Sequence, residues 1–242
     1  MPLSNLSKNH LKHSEIAILV FSRRAKKELL AKSLPANHRG LEWAESLHRR
    51  AARVASSSGV YNFLLSENDQ IGEGLPQRLC NAFEEYFALG FKAVIALASD
   101  VPELSKAHIA AAVDALQTNT AVLGPTFDGG DYLIGISESH YARMDMLAAL
   151  ADKEKVHVSL LSKFQSEESS CRVLPTLRDI DNLRSLQQWL KERPLRKNAL
   201  VQIGLLLLRI EENRSWDSKV DSYLPQYQFL SGLSRRGPPV WI

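Results

Sequence analysis

Short, continuously apolar runs alternate with amphipathic stretches along most of this sequence of 242 residues. The first run, Ile16–Phe21 (IAILVF), is typical of a strand that is buried on both faces. Further strands are predicted at residues 60–65, 92–98, 120–123, 132–136 and 171–174, and helices at residues 41–57, 75–89, 105–117, 139–151 and 181–192. Because strands and helices alternate, we predict an α/β fold of three layers, α/β/α, around a mostly parallel central sheet.

We expect three regions along the chain. Residues 1–14 are polar and lack the apolar core of a signal peptide, so they are predicted to be a flexible N-terminus. Residues 15–192 would form the α/β domain, and residues 193–242 a C-terminal helix followed by an irregular basic tail. The longest apolar stretch, Ala199–Ile210, is far shorter than the roughly 20 residues that cross a bilayer. We therefore predict a cytoplasmic protein without a membrane span.

The net charge of +3 conceals a division along the chain. Residues 1–50 carry a net charge of +6 and residues 193–242 a net charge of +4, whereas the residues between them carry −7. The basic ends show neither an aromatic-interleaved basic patch nor zinc-finger spacing, so no nucleic-acid partner is predicted. An anionic small ligand with an acidic, metal-binding site explains the division at least as well. Two cysteines, Cys80 and Cys171, are too few for a disulfide framework and fit a reducing compartment.

Three motifs lie at the ends of predicted strands, which is where ligands bind in open parallel sheets. The first is Ser99-Asp100-Val101-Pro102, directly after the apolar run VIALA. An aspartate at a strand end can ligate Mg²⁺, which clamps nucleotide phosphates through one or two carboxylates. Asp100 could equally shape the turn into the next helix, and spacing alone does not separate these alternatives.

The other two motifs are Gly124–Tyr132 (GPTFDGGDY) and Leu174–Asp181 (LPTLRDID). In the former, paired glycines would let the backbone approach a ligand closely, although Asp-Gly is also a strong signal for a tight turn between strands. In the latter, Asp179 and Asp181 share one face of an extended segment, so one of them could reach a metal. Alternatively, Asp181 caps the helix that follows it.

The segments VIALASDVPELSKAHIAAAVDAL, AVLGPTFDGGDYLIGI and LPTLRDIDNLRSL, in this order, resemble the radical-SAM/selenodomain-associated transferase family (domain-of-unknown-function family 2064). That family lies in the nucleotide-diphospho-sugar transferase superfamily, which has a GT-A type fold. The resemblance covers about residues 15–192, and Gln70–Leu79 matches a Gly-rich stretch ending in the family's arginine. It implies a nucleotide or nucleotide-sugar donor, an unidentified small-molecule acceptor, and Mg²⁺ or Mn²⁺ as cofactor.

The resemblance also implies roles for individual residues. Asp100 and Asp128 would be catalytic, and Asp100 and Asp181 would hold the metal. The nucleotide or substrate would be bound by a larger group, namely Arg23, Lys32, Arg78, Ser99, Pro102, Gly129, Gly130 and Asp131. Such a site works mainly by positioning its substrates and neutralising phosphate charge.

The loop after the first strand departs from the family pattern. Family members usually have A-R-x-P-x-P-G-x-x-K-T-R-L there, whereas this chain has Ser22–Leu34 (SRRAKKELLAKSL). Glu28 takes the glycine position and would repel phosphate, while Arg23 is retained and Lys32 could replace the family lysine. Two functions stay open: a metal-dependent glycosyltransferase or nucleotidyltransferase, and a non-catalytic nucleotide-binding relative with a degenerate phosphate loop.

Overall fold

The apolar runs form the strands of one central sheet. The computed structural model describes residues 11–118, 121–152, 155–166, 170–192 and 199–215. The strands within these residues are β1 (Ile16–Phe21), β2 (Tyr61–Leu65), β3 (Ala93–Ala98), β4 (Ala121–Pro125), β5 (Asp131–Ser137) and β6 (Cys171–Val173). Their order across the sheet is β2-β1-β3-β5-β4-β6.

All strands except β5 run in the same direction. β1 pairs in parallel with β2 and β3, and β4 pairs in parallel with β6. β5 is antiparallel to both of its neighbours, β3 and β4. The prediction of a mostly parallel sheet is confirmed, and the carboxyl ends of β1, β3 and β4 meet at one edge of it.

Helices cover both faces of the sheet. They are α1 (Ala25–Ala31), α2 (His38–Ser56), α3 (Gly74–Ala88), α4 (Lys106–Thr118), α5 (Glu138–Tyr141), α6 (Met146–Leu150), α7 (Val156–Ser166), α8 (Leu183–Lys191) and α9 (Ala199–Ser215). Successive residues of β1 face opposite sides: Ile18 belongs to the apolar core beneath α2 and α4, and Leu19 to the core beneath α3, α6 and α7. This arrangement confirms the predicted three layers.

Some helices differ from the sequence prediction. The helix expected at residues 139–151 is interrupted, because Asp145 caps the separate helix α6 by accepting a hydrogen bond from the backbone N–H of Ala148 at 2.9 Å. The helices α1 and α7 are not among the predicted elements. α8 is capped by Asn182, whose Oδ1 accepts the backbone N–H of Ser185 at 3.0 Å. The idea that Asp181 caps this helix is therefore wrong.

Helix α9 packs against α2 and α8. Its residues Leu200 and Leu207 are buried in a third apolar cluster together with Trp43 and Trp189, whose rings meet edge to face at 5.7 Å. The predicted domain limits, 15 and 192, stay a prediction, and the expected N-terminus and basic tail lie largely outside the described residues. Among the helices that the structure describes, none combines the length and apolarity that crossing a membrane requires.

Candidate active site

The segment between β6 and α8 brings distant carboxylates to the carboxyl edge of the sheet. It first continues beside β4, where the backbone N–H of Leu177 donates to the carbonyl of Pro125 at 3.0 Å. It then crosses to the end of β3, where the N–H of Ile180 donates to the carbonyl of Asp100 at 3.2 Å. Asp179 and Asp181, which flank Ile180 in the sequence, are thereby placed beside Asp100.

Asp128, Asp179 and Asp181 form an acidic cluster in which one carboxylate oxygen of each lies within 4.8 Å of the others. Asp128 lies in the β4–β5 turn, where Gly129 has a φ of +97° and Gly130 donates its backbone N–H to Asp128 Oδ1 at 3.1 Å. Burial, together with repulsion by neighbouring carboxylates, raises the pKa of Asp179 far above its usual range. Carboxylates at this spacing are the oxygen ligands that Mg²⁺ and Mn²⁺ prefer, so the acidic cluster could hold a divalent cation.

The ammonium of Lys32 lies between Asp100 and Asp181. Its Nζ donates hydrogen bonds to Asp100 Oδ2, to Asp181 Oδ1 at 2.8 Å and to the carbonyl of Ile180 at 2.8 Å, while Glu28 Oε1 lies 3.3 Å away. Burial disfavours the charged form, but the surrounding carboxylates outweigh that penalty and raise the pKa of Lys32 above its usual range. Lys32 is thus a charged counter-ion inside the site.

This position of Lys32 bears on the metal ligands that the resemblance implies. Asp100 and Asp181 each direct a carboxylate oxygen at the ammonium, so Lys32 occupies the position between them, and their role as metal ligands stays a prediction. The second oxygen of Asp100, Oδ1, is buried and makes no hydrogen bond within the described residues. Asp181 belongs to both groups: its Oδ1 accepts from Lys32 at 2.8 Å, and one of its oxygens lies within 4.8 Å of Asp128 and Asp179 in the acidic cluster.

Helix α1 stands where the family pattern has a glycine-containing loop. Glu28, buried on this helix, is one turn before Lys32 and also lies 3.2 Å from Nη1 of Arg23. Ser33 follows with a φ of +50°, a left-handed conformation that turns the chain sharply after Lys32. The charge of Glu28 is consequently balanced by two cations that it helps to position.

A small cavity adjoins Lys32 and is lined in part by His48, Ser99 and Trp43. It has room for about one water molecule. Burial lowers the pKa of His48, which favours the neutral imidazole. Ser99 and Pro102 are both buried after the end of β3, so they support the site from within the protein.

Arg78 lies near the ends of β1 and β2 and not in the acidic cluster. Its Nε donates to the carbonyl of Gly74 at 2.9 Å, and its Nη1 donates to Gln70 Oε1 at 3.3 Å. Gln70 in turn donates to the carbonyls of Ser22 and Leu65. Arg78 therefore fixes its own loop, and no contact recorded for the described residues joins it to the carboxylates.

Asp131 is directed toward His157. Nδ1 of His157 lies 2.8 Å from Asp131 Oδ1, and the Asp131 side chain has no exposed surface. The backbone N–H of His157 also donates to the carbonyl of Gly129 at 3.1 Å. Burial raises the pKa of Asp131 to about 6, which the contact with His157 offsets in part. The Asp131 side chain is thus buried against His157, and its expected role in substrate binding stays a prediction.

Two partners in this region escape the sequence reasoning. Glu28 and Lys32 are four residues apart, a spacing that indicates an ion pair on a helix. The family pattern has a glycine-containing loop at this position, so no helix is predicted there from the sequence. His157 is 26 residues from Asp131, and no local pattern connects them.

Part of the sequence matches a known family. The family model described as an uncharacterized protein conserved in bacteria (DUF2064) matches residues 43–150, a little under half of the chain. This segment includes Asp100 and Asp128 but ends before Asp179 and Asp181. No curated protein matches the chain in sequence. The association with radical-SAM or selenodomain proteins stays a prediction.

The fold occurs in solved structures. A protein from Desulfovibrio desulfuricans G20, provisionally described as a nucleotide-diphospho-sugar transferase, is 20% identical with a TM-score of 0.61, covering 86% of this chain and 100% of that one. Rv0371c from Mycobacterium tuberculosis H37Rv in complex with manganese is 15% identical with a TM-score of 0.41, covering 74% and 99%. A cytidylyltransferase from Leptospira borgpetersenii is 16% identical with a TM-score of 0.38, covering 88% and 100%. The first comparison shows that this chain shares the fold of the Desulfovibrio protein.

Proposed function

We propose that this protein is a nucleotide-utilising transferase, either a glycosyltransferase or a nucleotidyltransferase, with its active site at the acidic cluster. The observation that carries the proposal is the convergence of Asp128, Asp179 and Asp181 within 4.8 Å at the carboxyl edge of the sheet. Ligands of open α/β sheets bind at this edge. The shared fold of the Desulfovibrio desulfuricans protein supports the same assignment.

The charge balance explains why such a site needs a cation. Two basic side chains, those of Arg23 and Lys32, pair with the carboxylates of Glu28, Asp100 and Asp181, and the acidic cluster adds the carboxylates of Asp128 and Asp179. The excess of negative charge would repel the phosphates of a donor. Mg²⁺ or Mn²⁺ on Asp128, Asp179 and Asp181 would supply the missing positive charge and neutralise the phosphates.

Donor and acceptor would bind on the open side of the acidic cluster, since the cavity beside Lys32 has room for about one water. Phe127, on the same turn as Asp128, is 64% exposed. The guanidinium of Arg178 lies 4.8 Å from the centre of its ring. This exposed aromatic surface beside the carboxylates suits a base or sugar ring. The chain would thus act by holding the cation and orienting the two substrates.

A second candidate function is nucleotide binding without catalysis. It is favoured by α1, which replaces a glycine-containing loop with a helix whose Glu28 is anionic and buried. Lys32, the candidate phosphate lysine, already has its donors engaged by protein oxygens. Both candidates share a nucleotide and a divalent cation, and they differ only in turnover.

Calorimetric titration of a nucleotide and nucleotide-sugar panel, in Mn²⁺ and in EDTA, tests what the candidates share. Mn²⁺ is expected to tighten binding at least tenfold, and Asp179→Asn to remove that gain. Asp114→Asn, which changes an exposed carboxylate of α4, is the matched control and should behave as the parent protein. Equal affinity in EDTA, or no binding of any nucleotide, would contradict the proposal.

Release of the leaving group from the donor that binds best then separates the two candidates: nucleoside phosphate from a nucleotide sugar, or pyrophosphate from a nucleoside triphosphate, with water or a panel of small molecules as acceptor. Metal-dependent release supports the transferase, whereas tight binding without release supports the non-catalytic relative. A small-molecule acceptor and a cytoplasmic location complete the proposal, and the free thiols Cys80 and Cys171 agree with a reducing compartment.

A further inference from the structure

We infer that the ammonium of Lys32 takes the place of a divalent cation between Asp100 and Asp181, so that Asp100 is not a metal ligand in this protein. The inference rests on the proposed function only in assigning the divalent cation to Asp128, Asp179 and Asp181. Three observations carry it: the contacts of the Lys32 ammonium, the burial of its side chain, and the charge of the surrounding carboxylates.

The first observation is the coordination of Nζ. An ammonium has three donors, and Lys32 directs them at Asp100 Oδ2, Asp181 Oδ1 and the carbonyl of Ile180, with Glu28 Oε1 as a fourth neighbour at 3.3 Å. Oxygens from three separate parts of the chain surround one positive charge, as they would surround a metal ion. A divalent cation could enter this position only by displacing the ammonium.

The second observation is that the backbone holds Lys32 in place. The side chain is only 7% exposed, and its own N–H donates to the carbonyl of Glu28 at 3.0 Å at the end of α1. Ser33, the next residue, has a φ of +50°, and it is the one non-glycine residue with a positive φ among the described residues. Such a conformation persists where surrounding contacts impose it. The Lys32 side chain is therefore held in one buried position inside the site.

The third observation concerns charge. One lysine leaves Asp100 and Asp181 with a residual negative charge, whereas a divalent cation would cancel both carboxylates. The remaining charge lies beside Asp128 and Asp179, which increases the attraction of the acidic cluster for one divalent cation. Lys32 therefore fixes both where the cation binds and how many bind: one cation, on the side of Asp128.

Counting bound Mn²⁺ tests this inference without nucleotide or turnover. Electron paramagnetic resonance of free Mn²⁺ gives the number of sites and their affinity in the parent protein and in Asp100→Asn. We expect Asp100→Asn to keep the parental number of sites and to weaken Mn²⁺ binding by less than about tenfold, because it removes one nearby negative charge and no metal ligand. Asp128→Asn is the matched comparison and should weaken Mn²⁺ binding at least tenfold. Loss of Mn²⁺ binding in Asp100→Asn would overturn the inference.

Lys32→Met supplies the converse test. It removes the ammonium while keeping a long side chain, and we expect it to gain one Mn²⁺ site that the double variant Lys32→Met/Asp100→Asn lacks. A folded Lys32→Met protein without this gain would overturn the inference. Should the parent protein bind no Mn²⁺, the cation part of the proposed function fails, while a gain in Lys32→Met still supports the role of Lys32.

A measurement on the parent protein covers the case in which Lys32→Met does not fold. Nitrogen-15 NMR can detect the protected ammonium of Lys32, assigned by its loss in Lys32→Arg. We expect this signal to persist at saturating Mg²⁺. Its disappearance on addition of Mg²⁺ would show that the metal displaces the lysine, and would overturn the inference.

Discussion

Nδ1 of His157 lies 2.8 Å from Oδ1 of Asp131, and the two residues join the start of α7 to the start of β5. The Asp131 side chain has no exposed surface, and its Oδ2 makes no hydrogen bond within the described residues. Burial is the main cause that raises the pKa of Asp131 to about 6, with Asp128 adding to it and His157 opposing it. This buried carboxyl links the stability of the fold to pH.

Asp131→Asn is expected to stabilise the protein at pH 7 to 8. Between the ordinary aspartate pKa and about 6, the native state binds a proton at Asp131 that the unfolded state does not bind. The free energy of unfolding therefore falls as pH rises through this window, by about 2–3 kcal/mol in total. Denaturant unfolding from about pH 3 to pH 8 should show the two proteins alike near pH 3 and Asp131→Asn more stable above pH 6.

The control for this pH profile is Asp114→Asn, because Asp114 is exposed on α4. Its profile should run parallel to that of the parent protein. A constant difference between Asp131→Asn and the parent at every pH would show that Asp131 does not titrate in this range.

Glu28→Ala is expected to lower the free energy of unfolding by about 1–3 kcal/mol, because it removes the carboxylate paired with Arg23 and one of the oxygens around Lys32, and opens space beneath α1. Glu45→Ala removes an exposed ion pair with Arg49, whose atoms are 3.5 Å apart, and should cost less than about 0.5 kcal/mol. Chemical denaturation compares the two variants. Equal effects would mean that Glu28 contributes no more than an ordinary surface charge.

Asn182→Ala is expected to cost about 1 kcal/mol, since it removes the side chain that caps α8. Asn182→Asp should retain nearly all of the stability, because aspartate is also a good cap. Thermal unfolding followed by circular dichroism distinguishes these variants. If Asn182→Ala does not change the thermal stability, another residue caps α8, and Asp181 would be the first candidate to test.

Gly124→Ala is expected to cost about 1–3 kcal/mol. A Cβ at this position of β4 would lie 2.5 Å from Cζ of Tyr132, whose ring is fully buried across the hairpin. Combining it with Tyr132→Leu removes the obstructing ring, so the double variant should lose less stability than the sum of the single variants. Strict additivity in denaturant titrations would show that the ring moves aside freely.

The centre of the sheet could be predicted from sequence because its inner strands are buried on both faces. Ile16–Phe21 and Ala93–Ala98 are continuous apolar runs for that reason, and their burial leaves few other conformations. The short helices were harder. Residues 139–151 have one apolar pattern, yet the cap formed by Asp145 divides them, and α1 has only seven residues with a single apolar face.

The candidate site was predicted in part, because strand ends of a parallel sheet converge. That rule brings Asp100 and Asp128 to the same edge as the segment containing Asp181. It does not say which side chain points inward, and the burial of Asp131 against His157 depends on α7, which the apolar pattern did not reveal. The ammonium of Lys32 was equally out of reach, since its partners lie 68 and 149 residues away.

The cluster that α9 forms with α2 and α8 has a practical consequence for solubility. Leu200, Val201 and Leu207 are buried in the same apolar cluster as Trp43 and Leu186. A fragment that stops at residue 192 would present these large apolar groups to water, and contiguous patches of this kind promote self-association. Activity assays should retain the chain at least through Ser215, because aggregation of a shorter fragment would resemble a loss of catalysis.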